Sequence, residues 1–100
     1  MTTEDTSKEL RVAARTPTVE LASAIANAIY EDGEVTLRAI GAASVNQAVK
    51  GIAKAQGFAA QHGMVLATRP GFLTVQMPSR DSDGFEDRTA IIFRVFRTSQ

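Results

Sequence analysis

Lys50 and Lys54 stand four residues apart, one helical turn, within a stretch from Val35 to Arg80 that holds five basic residues and no acid. The other three are Arg38, Arg69 and Arg80. Two ammonium groups on one helix face are a surface that can meet phosphate, and so are the free amides at a helix start. The acids lie at the margins: residues 1–34 carry a net charge of −4, residues 35–80 carry +5 and residues 81–100 carry −1. Eleven basic and eleven acidic residues cancel over the whole chain, so a polyanion would have to meet this middle region locally. The alternative is a solvated helix face, which is ordinary for lysines at this spacing.

Other chemistries find less support. His62 is the one histidine, and it stands beside Gly63 where a helix should end, a place where histidine commonly favours the helix dipole. A serine triad would have no other imidazole to use, so no catalytic residue is assigned. Asp81, Asp83, Glu86 and Asp87 suggest a cation loop, but Asp-Ser-Asp-Gly puts glycine in the wrong register for calcium; a solvated hairpin tip is the simpler reading. The seven glycines form no dinucleotide fingerprint, and no Walker pattern occurs, so neither a cofactor nor a metal is implied. Phe58, at the edge of the lysine face, and Phe72, after Pro70-Gly71, could each stack on a base, plug a subunit contact or pack partly buried. Phe85, in the acidic loop, is the aromatic expected to be most exposed.

These residues must be positioned by a short series of elements. Leu10, Val12 and Ala14 alternate with Arg11 and Ala13 as in a strand. Thr16 and Pro17 predict a helix start, with threonine as cap and proline at the first helical position. Leu21, Ala24, Ile25, Ala28 and Ile29 share one face of that helix, which ends at Asp32-Gly33. Val35 to Ile40 is a second strand. Ser44-Val45-Asn46-Gln47 matches the capping box and predicts a second helix from Ser44 to about His62, with Val45, Ala48, Val49, Ile52 and Ala59 as its buried stripe. Met64 to Met77 is a third strand, expected to kink, bulge or lie at an edge at Pro70-Gly71. Pro78 to Asp87 is a long hairpin loop, and Arg88 to Arg97 returns as a strand with Ile91, Phe93 and Val95 on one side and Ala90, Ile92 and Phe96 on the other.

The order strand-helix-strand-helix-strand-strand predicts an α+β two-layer sandwich, a mixed four-stranded sheet with both helices packed on it. One hundred residues suit one domain, read here as residues 10–100 after a flexible leader at 1–9. A two-layer sheet with Ile92 and Phe96 on its open face predicts a second subunit over that face, hence a homodimer. The absence of cysteine permits a reducing compartment, and Val19 to Tyr30 is too short and too polar to span a bilayer. Met1 to Lys8 is polar and acidic where a signal peptide needs an apolar core, so a cytoplasmic protein with no membrane partner is expected.

The run Ala39-Ile40-Gly41-Ala42-Ala43-Ser44-Val45-Asn46-Gln47-Ala48-Val49-Lys50, followed by Ile52-Ala53-Lys54-Ala55-Gln56-Gly57-Phe58, resembles the signature of the stage V sporulation protein S family. Arg15-Thr16-Pro17 and Glu86-Asp87-Arg88-Thr89-Ala90-Ile91 resemble it too, so the likeness spans about Leu10 to Arg97. That family is similar in turn to the Alba superfamily of dimeric proteins that bind DNA or RNA. The resemblance implies a bacterial, non-enzymatic regulatory protein of sporulation, with nucleic acid as partner and Arg15, Thr16, Ser44, Asn46, Gln47, Lys50, Lys54 and Arg80 as candidate contacts. It departs from the Alba pattern where an arginine is replaced by Ala42 or Ala43 and a lysine by Gln47. Losing such contacts weakens the salt-dependent part of affinity steeply, which implies weak to moderate binding rather than general chromatin packaging. An interaction or scaffold module with this fold, assembling beyond a dimer and binding little nucleic acid, is the alternative.

Overall fold

A computed structural model describes residues 8–98. Six elements follow in chain order: β1 (Lys8–Val12), α1 (Thr18–Asp32), β2 (Glu34–Ala39), α2 (Ala42–Ala60), β3 (Leu66–Pro78) and β4 (Phe85–Arg97). The sheet order is β1-β2-β4-β3, with β1 parallel to β2 and the other pairs antiparallel. This is the expected mixed sheet and two-layer sandwich. Residues 1–7 of the expected leader lie outside the described residues, while Lys8 and Glu9 belong to β1, opposite Val35 and Thr36. Ala13 and Ala14 fall in the turn that follows rather than in the strand.

Only one face of β2 is buried, and its alternation shows which: Val35, Leu37 and Ala39 are covered while Thr36 and Arg38 are half-exposed. Directly opposite in β4 stand Val95, Phe93 and Ile91, so six apolar side chains form one patch under the helices. Leu21, Ala22, Ile25, Ala28 and Ile29 of α1 close over it. Ile25, Ile29, Leu37, Val35 and Val95 are the largest fully buried side chains, each contributing about 1.5–3 kcal/mol. On the opposite face Ile92 and Phe96 are half-buried within the single chain.

The second helix turns most of the expected stripe inward, Val49 excepted, and adds smaller residues to it. Ser44, Ala48, Gly51, Ala55 and Ala59 are buried, Val45 and Ile52 are partly covered, and Val49 is 49% exposed. The expected stripe ranked positions by hydrophobicity, whereas the seam with α1 selects for size. A Cβ added to Gly51 would lie 2.5 Å from Leu21 Cδ2, so the helices approach more closely there than any larger residue permits.

Both helix starts differ from expectation: Thr16 and Gln47 bond elsewhere, and Ser44 caps nothing. Pro17 is the cap residue of α1 and Thr18 opens the helix. Thr16 Oγ1 instead accepts from the Ala13 amide at 2.8 Å, closing the turn after β1. Helix α2 begins two residues early, behind Gly41 at φ +92°, and no side chain caps it. Ser44 therefore lies inside the first turn, and Gln47 Nε2 donates to Thr16 O at 2.8 Å rather than reaching back to a cap. The C-terminal signals hold: Gly33 takes φ +83° with its amide donating to Ile29 O, and α2 gives way to a turn at 61–63.

β3 has no bulge. Its register with β4 is unbroken from Leu66 opposite Arg97 to Pro78 opposite Phe85, with Pro70 facing Phe93. The proline is tolerated because β3 is an edge strand, where the missing amide need cost no ladder bond. β4 begins three residues earlier than expected and β3 runs one residue further, so the loop shrinks to residues 79–84 and Glu86 and Asp87 lie within β4.

Candidate nucleic-acid interface

Because β1 and β2 run parallel, both strand-to-helix turns emerge at the same end of the sheet. β4 runs against β2, and its register places Ala39 opposite Ile91, so Phe85–Ala90 and the hairpin loop project beyond that same end. Six residues of strand reach about 20 Å at ~3.3 Å each. The topology thus gathers Arg15, Thr16, the start of α2 and Arg80 at one pole, although 65 positions separate Arg15 from Arg80.

The eight candidates divide by what their side chains already do. Arg15, Asn46, Lys50 and Arg80 are exposed. Thr16 and Gln47 are joined, the threonine carbonyl accepting from the glutamine amide, so they fix the Arg15 turn against α2. Ser44 is 7% exposed and does not present its hydroxyl to a partner; the early start of α2 rotates it into the seam. Lys54 is exposed, and its Nζ donates to Thr18 Oγ1 at 2.7 Å across the two helices. Thr18 was not legible as its partner, because the contact spans 36 residues and exists only once α1 and α2 align. Along α2, Lys50 and Lys54 lie about 12 and 18 Å from Ala42 at ~1.5 Å per residue, so the positive surface runs from the pole down the helix.

The hairpin tip is mixed. Arg80 is followed by Asp81 and Asp83 in a loop closed by Ser79 N to Gly84 O at 2.9 Å. The arginine can reach a phosphate while its neighbours repel one. Among the described residues, no three His, Asp or Glu side chains converge on a point that could hold a metal ion, and no helix is long and apolar enough to cross a membrane.

The fold is that of Alba from Thermoplasma volcanium, which superposes with a TM-score of 0.67 at 13% identity, over 90% of this chain and 100% of that one. The sequence itself matches the pattern of the stage V sporulation protein S family over residues 8–98, from the first residue of β1 to the end of the described chain. The match includes the turn that carries Arg15, the Lys50 and Lys54 stripe and the hairpin, and on it the chain belongs to the stage V sporulation protein S family.

Proposed function

We propose that this chain is a non-enzymatic, homodimeric nucleic-acid-binding protein of regulatory type, which contacts the phosphate backbone. The observation that carries this is the gathering of Arg15, the uncapped start of α2 and Arg80 at one pole, continued by Lys50 and Lys54. Arg15, Asn46, Lys50, Lys54 and Arg80 are the contacts, with Thr16 and Gln47 holding the turn. Four cations support weak to moderate affinity, because each neutralised phosphate releases counterions.

Fluorescence anisotropy of the nuclease-treated protein against double-stranded DNA, single-stranded DNA and RNA over a salt series tests this. Micromolar binding is expected, with a slope of log affinity on log salt of about −3 to −4 for duplex DNA. Lys50→Glu with Lys54→Glu should abolish binding while shifting unfolding free energy by no more than about 0.5 kcal/mol, since both side chains are exposed. Absence of binding at low salt would overturn the reading in favour of a scaffold module.

The dimer is supported by apolar surface left uncovered by the single chain. Phe72 is 80% exposed on β3, on the helix-bearing face because it stands opposite Ile91, and Val49 is exposed on α2. Light scattering should give about twice 10.7 kDa, and Phe72→Ser should return it toward the single-chain mass. A wild-type protein that scatters as a single chain at high micromolar concentration would rule the dimer out.

A further inference from the structure

Asn46, Lys50, Lys54, Phe58 and His62 recur every four residues and are all exposed. They form one i±4 ridge of α2 and of the turn that ends it. The ridge follows the seam with α1: Lys54 reaches Thr18 near the start of α1, and His62 meets Tyr30 near its end. Tyr30 and His62 have ring centroids 5.2 Å apart and planes tilted by 42°, with Tyr30 Oη 3.5 Å from His62 Nδ1. That separation leaves no room for a third ring between them, so together they make one wall.

Beside that wall is a cleft of about 350 Å³, which Phe58 lines as well. Tyr30 is 62% exposed and Phe58 38%, so both offer ring surface to an occupant. No Asp, Glu, Lys or Arg lines the cleft; its polar groups include the Asn27 and Gln61 amides, each with both donors and an acceptor. Such a site suits a flat, neutral ring with hydrogen-bonding edges. The cations lie outside it along the same ridge, Lys54 one turn and Lys50 two turns from Phe58, at ~5.4 Å per turn. A neutral ring joined to a chain of anions is the chemistry of a nucleobase on a phosphodiester backbone.

We propose that the seam between α1 and α2 binds single-stranded nucleic acid, one base stacking in the cleft of Tyr30, Phe58 and His62 while the backbone passes over Lys54 and Lys50. Duplex bases keep their faces within the stack and cannot enter, so the cleft confers a preference for single strands. The inference rests on the nucleic-acid reading above and deepens it.

The chain has one tyrosine and no tryptophan, so its intrinsic emission reports on the cleft. Titrating the full-length protein with an unlabelled single-stranded oligonucleotide, corrected for absorbance with free tyrosinamide, should quench Tyr30 in step with anisotropy measured on a labelled copy. DNA and RNA versions serve as separate arms, and a duplex of the same sequence should leave the emission unchanged. Phe58→Ala should weaken single-strand binding about tenfold, the order of one lost stacking contact, and leave duplex binding unaltered. Tyr30→Phe, which keeps the ring, should retain single-strand affinity, and circular dichroism establishes that both variants fold. Binding without quenching, or equal weakening of single and double strands by Phe58→Ala, overturns the inference and leaves the nucleic-acid reading standing. No binding of either form at low salt overturns both.

Discussion

Gly51 and Gly57 lie six residues apart in the same helix and should respond oppositely to alanine. At Gly51 the new Cβ would meet Leu21 Cδ2 at 2.5 Å and Cγ at 2.7 Å, and Leu21 is itself buried and cannot swing away. Overpacking of up to about 3 kcal/mol outweighs the ~1 kcal/mol gain in helix propensity, so Gly51→Ala should destabilise by up to about 2 kcal/mol in chemical denaturation. At Gly57 nothing lies within 4 Å, and Gly57→Ala should stabilise by about 0.5–1 kcal/mol. If both variants moved in the same direction, the close helix approach at Gly51 would not be what sets the seam. Gln56 makes the complementary point through polarity: its Nε2 donates to Met64 O at 3.2 Å and its Oε1 accepts from Leu66 N at 2.7 Å. Gln56→Leu should cost about 2 kcal/mol, because two backbone groups lose their partners, and hydrogen exchange at the Leu66 amide should quicken.

At the scale of elements, that pair of bonds is how α2 clamps the start of β3, the strand that otherwise pairs only with β4. The succession of elements was legible in the sequence because period and punctuation agree: alternation in Val35 to Ile40, helical spacing from Leu21 to Ile29, and glycine at positions 33 and 63. The starts were not. Thr16, Ser44 and Gln47 have side chains that can cap locally, and their types say nothing of the partners 3 and 31 residues away that Thr16 and Gln47 take instead, or of the burial of Ser44. Gly51 was missed in the inner stripe of α2, and Val49 wrongly included, for a similar reason, since the need for Gly51 depends on where Leu21 lies. Of the candidate site, Lys50, Lys54 and Arg80 were offered by charge, and Arg15 only by the family resemblance. The cleft was not, because Tyr30 comes from the other helix and the 5.2 Å between its ring and that of His62 is a product of packing.

For the molecule as a whole, the opposed charges matter more than their zero sum. Arg80 shares its loop with Asp81 and Asp83, so the projecting hairpin would offer a phosphate one cation and two anions. Asp81→Asn with Asp83→Asn should raise nucleic-acid affinity about three- to tenfold at low salt and should lose most of that gain as screening increases. Anisotropy over a salt series reads this directly; an unchanged affinity would mean the hairpin tip stays clear of the ligand. The sheet order has a consequence for synthesis. β4, the last strand in sequence, occupies an inner position between β2 and β3, and Val35 and Leu37 find their partners Val95 and Phe93 only there. On the ribosome, residues 8–78 emerge as two helices and three strands with no strand to join the third to the others. The apolar patch of β2 therefore waits for Ile91–Val95, making this a chain whose nascent form depends on completion, and one for which a stall within β4 leaves an aggregation-prone product instead of a smaller folded one.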